Sequence, residues 1–307
     1  MAGGGLFCES LTKVYSGSEG RKALDSVNLD LPSTGIFSLI GMNGAGKTTL
    51  VRILATQLQP TSGRASIDGL DVMKDTGKLR DRIACVPQEA RTSPWMTPKQ
   101  VVLSYLLWRG ENYYEASKKA IEALAKVGLE KQADVLNRKL SGGTRRKVLV
   151  ATVLSSDAEV IFLDEPTTGL DPISRRDLWN LLTGLARDRF LILTTHYLEE
   201  AESLANTIGI LHNGGLIGLG SLEQLRSTVK YQYSLMLASN QGLPAVREGE
   251  VTTGASGQTQ VLTDEREAYE ISKSLLAKGV KFSMSKTSLD DIFFRLVHGA
   301  NEEEKGS

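Results

Sequence analysis

Between residues 35 and 58 the chain runs a strand, a glycine-rich loop and a helix together in an order that few architectures accommodate. The short apolar run Gly35–Ile40 breaks at Gly41 into Gly41-Met42-Asn43-Gly44-Ala45-Gly46-Lys47-Thr48. The helix that follows carries Leu50, Ile53, Leu54 and Leu58 on one face. A helix with such a face, leaving directly from a strand, packs back onto the sheet, which points to an α/β core. In the loop the glycines let backbone N–H groups close around phosphates. Lys47 adds a cation at β/γ oxygens, and Thr48 is suited to bind Mg2+.

A second feature supports the same chemistry. Val160-Ile161-Phe162-Leu163 is a continuous apolar run of the kind that forms a parallel strand buried on both faces, and it ends in Asp164 and Glu165. Open α/β sheets bind ligands at the carboxyl ends of their strands. Asp164 there is suited to the Mg2+ shell, and Glu165 to polarising an attacking water as general base. Gln88 follows Ile83-Ala84-Cys85-Val86-Pro87 and His196 follows Phe190-Leu191-Ile192-Leu193-Thr194-Thr195, so four strands are expected to aim polar groups at one edge. Ser141 reads as the N-cap of a helix whose Gly142 and Gly143 leave backbone N–H groups open to an anion. On its own, Ser-Gly-Gly is equally a plain capped helix start.

The remaining chain frames these motifs. Strand-like runs occur at Leu6–Val14 and Lys22–Leu31. From Pro94 to Ser155 the pattern turns helical, best at Gln100–Arg109, Tyr114–Val127 and Thr144–Leu154, as an insertion within the α/β core. Near Ser221 the character changes to alternation at Tyr231–Leu237, a Gly-, Ser- and Thr-bearing stretch around residues 250–260, then a helix, a strand and a final helix. That last helix opens on Ser288 with Asp291 three residues on, and it carries Leu289, Ile292, Phe293, Leu296 and Val297 on its apolar face. Lys plus Arg equals Asp plus Glu at 36 each, so no basic field recommends nucleic acid as a partner. Cys8 and Cys85 have neither metal-ligand nor disulfide spacing, which fits a reduced cytosolic compartment. Residues 1–10 lack the pattern of a secretory signal, and no run approaches the roughly 18 apolar residues of a membrane span, so a membrane role is expected through a partner chain.

Gly41–Thr49, Gln88, Leu140–Thr144, Val160–Pro166, Gly169-Leu170-Asp171-Pro172 and His196 resemble, in that order, the Walker A, Q-loop, signature, Walker B, D-loop and H-loop of the ABC ATPases. The resemblance covers residues 6–220. It implies a P-loop NTPase core of the RecA-like kind with an antiparallel β subdomain and an inserted helical subdomain at about 94–155. The cassette would then occupy residues 1–220 and a small C-terminal α+β unit residues 221–307. It also implies ATP and Mg2+ as cofactors. Nucleotide contacts would come from Tyr15 (stacking on adenine), Gly41, Asn43, Gly44, Ala45, Gly46, Lys47, Thr48, Thr49, Ser141, Gly142, Gly143 and Asp171. Thr48, Gln88 and Asp164 would hold the metal, with Glu165, His196 and Gln88 catalytic.

Cassettes of this family pair head to tail, so a second cassette is implied, as a copy or a different chain, together with a transmembrane permease that would keep this chain at the cytoplasmic face of the membrane. Thr144 departs from the Gln usual at the end of the signature. Thr194–Glu202 and Ser288–Phe293 are similar to the efflux branch that handles drugs, antibiotics, lipids and polysaccharides. The alternative is a non-transport relative acting on ribosomes or nucleic acid, but such relatives usually carry two cassettes or long coiled coils. Pro94, Trp95, Met96, Pro98, Tyr105 and Trp108 fall on the segment where the family docks its membrane subunit. Tyr105 and Trp108 would serve equally well as helical core.

Overall fold

The computed structural model describes residues 4–16, 20–239, 242–254 and 257–306. It divides into two compact units, Met1–Leu216 and Ile217–Ser307. In the first, β1 (Leu6–Val14), β2 (Lys22–Leu31), β4 (Ser62–Ile67) and β5 (Leu70–Asp71) form an antiparallel sheet in the order β2-β1-β4-β5. The second sheet of this unit contains β3 (Gly35–Ile40), β6 (Ile83–Val86), β7 (Val160–Asp164), β8 (Phe190–Thr195) and β9 (Thr207–His212). These five run parallel in the order β9-β3-β8-β7-β6. β10 (Gly215–Gly220) follows, and the division between the units falls within it.

The continuous apolar runs are explained by burial on both faces of the parallel sheet. Side chains alternate faces along a strand, and Val160, Phe162, Phe190 and Ile192 join one core with Phe37, Leu39 and the helix α1 (Lys47–Leu54). Their neighbours Ile161, Leu163, Leu191 and Leu193 join another. That second core is closed by α3 (Pro98–Trp108), α4 (Tyr113–Lys126), α5 (Gly142–Leu154) and α6 (Pro172–Leu185), while α2 (Thr76–Arg82) and α7 (Leu198–Leu204) flank the sheet. Cys8 is buried in β1, and Cys85 is half-buried in β6.

The inserted helices start where capping chemistry allows. Thr97 accepts from the Gln100 N–H and the Gln100 side chain reaches back, closing a capping box ahead of Pro98. Asn112 caps α4 by accepting from the Glu115 N–H at 3.0 Å. Val102 and Leu106 are the buried residues of α3, whereas Trp108 is 82% exposed; of the two aromatics weighed as helical core, only Tyr105 is partly covered.

In the second unit α8 (Leu222–Thr228) precedes an antiparallel sheet of β11 (Tyr233–Leu237), β12 (Gly249–Thr253), β13 (Thr259–Thr263) and β14 (Phe282–Lys286) in the order β12-β13-β11-β14. Helix α9 (Glu265–Ala277) lays Ala268, Ile271 and Leu275 on Leu235, Leu237 and Val261. Helix α10 (Leu289–Gly306) begins with the expected box, the Asp291 N–H donating to Ser288 Oγ and the Ser288 N–H to Asp291 Oδ2, each at 3.2 Å. Within the described residues, the Gly-, Ser- and Thr-bearing stretch around residues 250–260 supplies parts of two paired strands. Edge strand β12 is almost wholly exposed, so nothing forces an apolar alternation on it, and the pattern that betrays a strand is missing. Among the described residues no helix is long and apolar enough to cross a membrane.

Phe162 sits at the centre of β7 with no exposed surface. Its replacement by Ala should lower unfolding free energy by about 3–5 kcal/mol, read as a drop in the urea midpoint of the full chain.

Candidate active site

The strand pairings bring the carboxyl ends of β3, β8, β7 and β6 level. Ile40 lies opposite Thr195, Asp164 opposite Thr194 and Val86 opposite Leu163. The residues just beyond those ends therefore meet at one edge, as expected.

The loop after β3 turns through Gly44 at φ 80° and Gly46 at φ 110°, left-handed conformations open to glycine. Gly46 also lies so close to β2 that a Cβ there would collide with the Ala23 carbonyl oxygen. As the N-cap of α1, Gly46 has no side chain to accept from the first helical N–H groups, which leaves them for an anion. Lys47 Nζ donates to the carbonyls of Gly41 at 2.7 Å and Met42 at 3.1 Å. Burial holds the Lys47 pKa below its ordinary value, against the opposing charges of Glu165 and Asp164. Ala45 is the buried floor of the loop, its carbonyl accepting from the Gly214 N–H at 3.0 Å.

Thr48 Oγ1 donates to Asp164 Oδ2 at 3.3 Å, and Asp164 Oδ1 accepts from the Thr194 hydroxyl. Glu165 adopts φ 51°, a backbone conformation rare for a residue with a side chain. Consecutive residues of a strand point to opposite faces; this turn breaks the alternation, and both acids line the same cleft of about 500 Å³. The Glu165 carboxylate is held on both sides. His196 Nδ1 lies 3.0 Å from Oε1, while Gln88 Nε2 at 3.3 Å and Thr168 Oγ1 at 3.2 Å donate to Oε2. Tyr15, Asn43, Gly44 and Thr49 line the same cleft, with the Tyr15 hydroxyl 3.3 Å from Thr49 Oγ1.

Seven expected residues do not line that cleft: Gly41, Ala45 and His196 bond to or adjoin residues that do, and four lie elsewhere. Ser141 caps α5, its Oγ accepting from the Thr144 N–H at 3.1 Å. Gly142 borders a neighbouring space of about 750 Å³ shared with Gln88, Glu165 and Thr168. Gly143 approaches the chain so closely that a Cβ would stand 2.8 Å from the Gly169 carbonyl oxygen. Asp171 caps α6, accepting from the N–H groups of Ser174 at 3.0 Å and Ile173 at 3.1 Å, and the Ser174 bond leads in lowering its pKa. Within one chain these four serve helix starts.

Three residues at the site had no sequence signal of their own. Thr194 and Thr168 hold the two acids. Arg146 is buried against their backbone, its guanidinium donating to the Asp164 and Glu165 carbonyls. Glu200, fully buried behind the His196 loop, accepts from Trp179 Nε1 at 3.1 Å, and burial raises its pKa.

Thr48 and Asp164 offer two hard oxygens. Among the described residues no group of three or more His, Cys, Asp or Glu could hold a metal ion by protein ligands. That pair fits an ion such as Mg2+ that takes most of its octahedral shell from phosphates and water.

A family model described as ABC transporter matches residues 24–168. The daunorubicin/doxorubicin resistance ATP-binding protein of Streptomyces peucetius is 30% identical over 308 residues, covering 95% of this chain and 92% of that protein. ATP-binding cassette sub-family A member 7 of Rattus norvegicus is 32% identical over 98% of this chain, and ABC transporter A family member 10 of Arabidopsis thaliana is 35% identical over 78% of it. The chain spans only 15% and 27% of those two proteins. Among solved structures, a dimeric ATP-binding cassette in a post-hydrolysis state with ADP and Pi superposes with a TM-score of 0.66 at 27% identity, over 71% of this chain and 98% of that one.

Gly46→Ala combines backbone strain of about 1–3 kcal/mol with the collision at Ala23. It should weaken nucleotide binding at least about tenfold, for which 1.4 kcal/mol suffices. Gly44→Ala, where a Cβ meets nothing within 4 Å, should do less. Titration with a fluorescent nucleotide checks the order.

Proposed function

We propose that this chain, an ATP-binding and ATP-hydrolysing member of the ABC transporter family, drives a separate membrane permease that exports its cargo. The observation that carries the proposal is the 3.0 Å pairing of Glu165 with His196, beside the cleft of Lys47 and Thr48. ATP would lay its phosphates on the N–H groups of residues 41–49, with the adenine on Tyr15. Lys47 would exchange the carbonyls of Gly41 and Met42 for phosphate oxygens. Thr48 and Asp164, with Gln88 nearby, would hold Mg2+, which when bound offsets phosphate charge as a Lewis acid.

Glu165, aimed by His196 and Gln88, takes the proton of the attacking water. The water oxygen bonds to the γ-phosphorus, and the bond from that phosphorus to the bridging oxygen breaks, leaving ADP and phosphate. His196 holds the carboxylate in line, so the base does not have to be ordered at the moment of reaction.

Ser141, Gly142, Gly143 and Asp171 lie outside this chain's own cleft, and their nucleotide role requires a second cassette arranged head to tail, whether a copy or a different chain. The dimeric assembly of the superposable cassette supports the presence of a second cassette. Residues 1–220 are then the motor, with the helical part at about 94–155, and residues 221–307 an accessory unit outside the hydrolytic machinery. Trp95, 69% exposed beyond Gln88, suits contact with the permease, which would hold the chain at the cytoplasmic face of the membrane. Daunorubicin/doxorubicin resistance in the Streptomyces relative's name favours a drug as cargo.

Glu165→Gln keeps the shape and removes the base, so steady-state turnover should fall by about 10²–10⁴-fold while ATP still drives dimerisation; near-normal turnover would remove Glu165 from the mechanism. Lys47→Ala should lose ATP binding, and Ser141→Arg should bind ATP yet not hydrolyse it. A mixture of the two restores one complete composite site, so it should recover activity. A mixture inactive at high concentration would count against head-to-tail pairing of two copies of this chain.

A further inference from the structure

Arg146 lies on α5 five residues after Ser141, in a run of Thr144-Arg145-Arg146-Lys147 that reads as a solvated basic face. It is instead buried where the ends of β6 and β7 converge. Its Nη2 donates to the Asp164 carbonyl and, at 3.0 Å, to the Glu165 carbonyl, and its Nη1 donates to the Pro87 carbonyl at 3.4 Å. One guanidinium thus binds the backbone of both acids and the residue before Gln88.

Stability alone is a poor reason for this arrangement. A buried cation loses its hydration, and Nε of Arg146 has no partner, a further penalty that an apolar side chain of similar size would avoid. What the arrangement does secure is a strained backbone. The Glu165 N–H is held by the Thr194 carbonyl at 3.1 Å and the Thr194 hydroxyl at 3.2 Å, and the carbonyls of Asp164 and Glu165 are held by Arg146. Residues in the left-handed region persist only where their surroundings over-determine them. Freed from Arg146, the Glu165 carbonyl keeps only the 3.3 Å bond from the Thr168 N–H, and the backbone gains freedom to relax toward an ordinary strand conformation. The carboxylate would then leave His196 and Gln88.

We infer that Arg146 is a positioning residue that locks the backbone of Glu165 and so ties the aim of this chain's base to the seating of its own signature helix. This deepens the hydrolytic reading above and rests on Glu165 being the base. If the signature of this chain engages nucleotide on a second cassette, the same helix carries that engagement to Glu165.

The test is a double-mutant cycle on the full chain with Mg2+ and ATP, reading kcat, KM and nucleotide Kd. Arg146→Met should lower kcat by about 10–100-fold while the Kd for ATP stays within about threefold, because the Lys47 cleft is untouched. In a Glu165→Gln background the same change should cost less than about threefold more, since no base remains to be aimed. Arg146→Gln, which can still donate to one carbonyl, should fall between Arg146→Met and wild type, and it decides the matter if the Met variant does not fold.

Turnover of either variant within twofold of wild type overturns the inference. So does an equal loss with and without the base, the signature of a merely structural residue. Normal turnover in Glu165→Gln alone defeats the base assignment itself, a failure separable from additive losses in a slow Glu165→Gln background.

Discussion

The chemistry of this chain depends on the parallel register of β3, β8, β7 and β6. Their pairing brings Ile40, Thr195, Asp164 and Val86 to within two residues of one level, so that Gln88, Asp164, Glu165 and His196 all fall at or just past the same edge, beside the loop that follows β3. A slip by one residue in β7 would turn the strand's side chains to opposite faces and carry Asp164 away from Thr48. The interleaved cores, with Phe162 on one side and Ile161 and Leu163 on the other, make such a slip prohibitively unfavourable. Packing far from any ligand therefore sets the distance between a hydroxyl and a carboxylate at the edge.

Local departures from regularity then finish the site. Strand geometry alone would separate Asp164 from Glu165, and only the turn at Glu165 brings both to one cleft. The loop after β3 likewise binds its own lysine, the Lys47 ammonium donating to two of its carbonyls. Nucleotide affinity is accordingly a difference between two sets of charge-assisted bonds rather than the sum of new ones. An ammonium already held in place loses little further freedom on binding phosphate.

What could be read from the sequence was what is local. Residues 41–48 carry their geometry in their spacing, and apolar runs ending in Asp164, Gln88 or His196 announce strand ends without any knowledge of the partner strand. Arg146 could not be read this way, because its burial depends on the convergence of β6, β7 and α5, which are far apart in the chain. Thr194 looked like one more β-branched strand residue. The hairpin of β12 and β13 lacked the alternation that a half-buried strand needs, since β12 faces water on nearly every residue. Asp171 and Gly143 mark a different limit: their motif is legible, yet in a single chain they serve a helix cap and a close backbone contact, and a nucleotide role for them requires another subunit.

The two cysteines offer an internal clock. Burial pushes the Cys8 thiol up to about 12 and the Cys85 thiol up to about 11, so in the folded chain almost none of either is thiolate, the reactive form, at neutral pH. Buried Cys8 can react with an alkylating reagent only when its surroundings open, whereas half-buried Cys85 reacts slowly where it stands. Cys8 belongs to the antiparallel sheet, so its modification rate reports when that sheet opens, with Cys85 of the parallel sheet as the accessible reference thiol in the same chain.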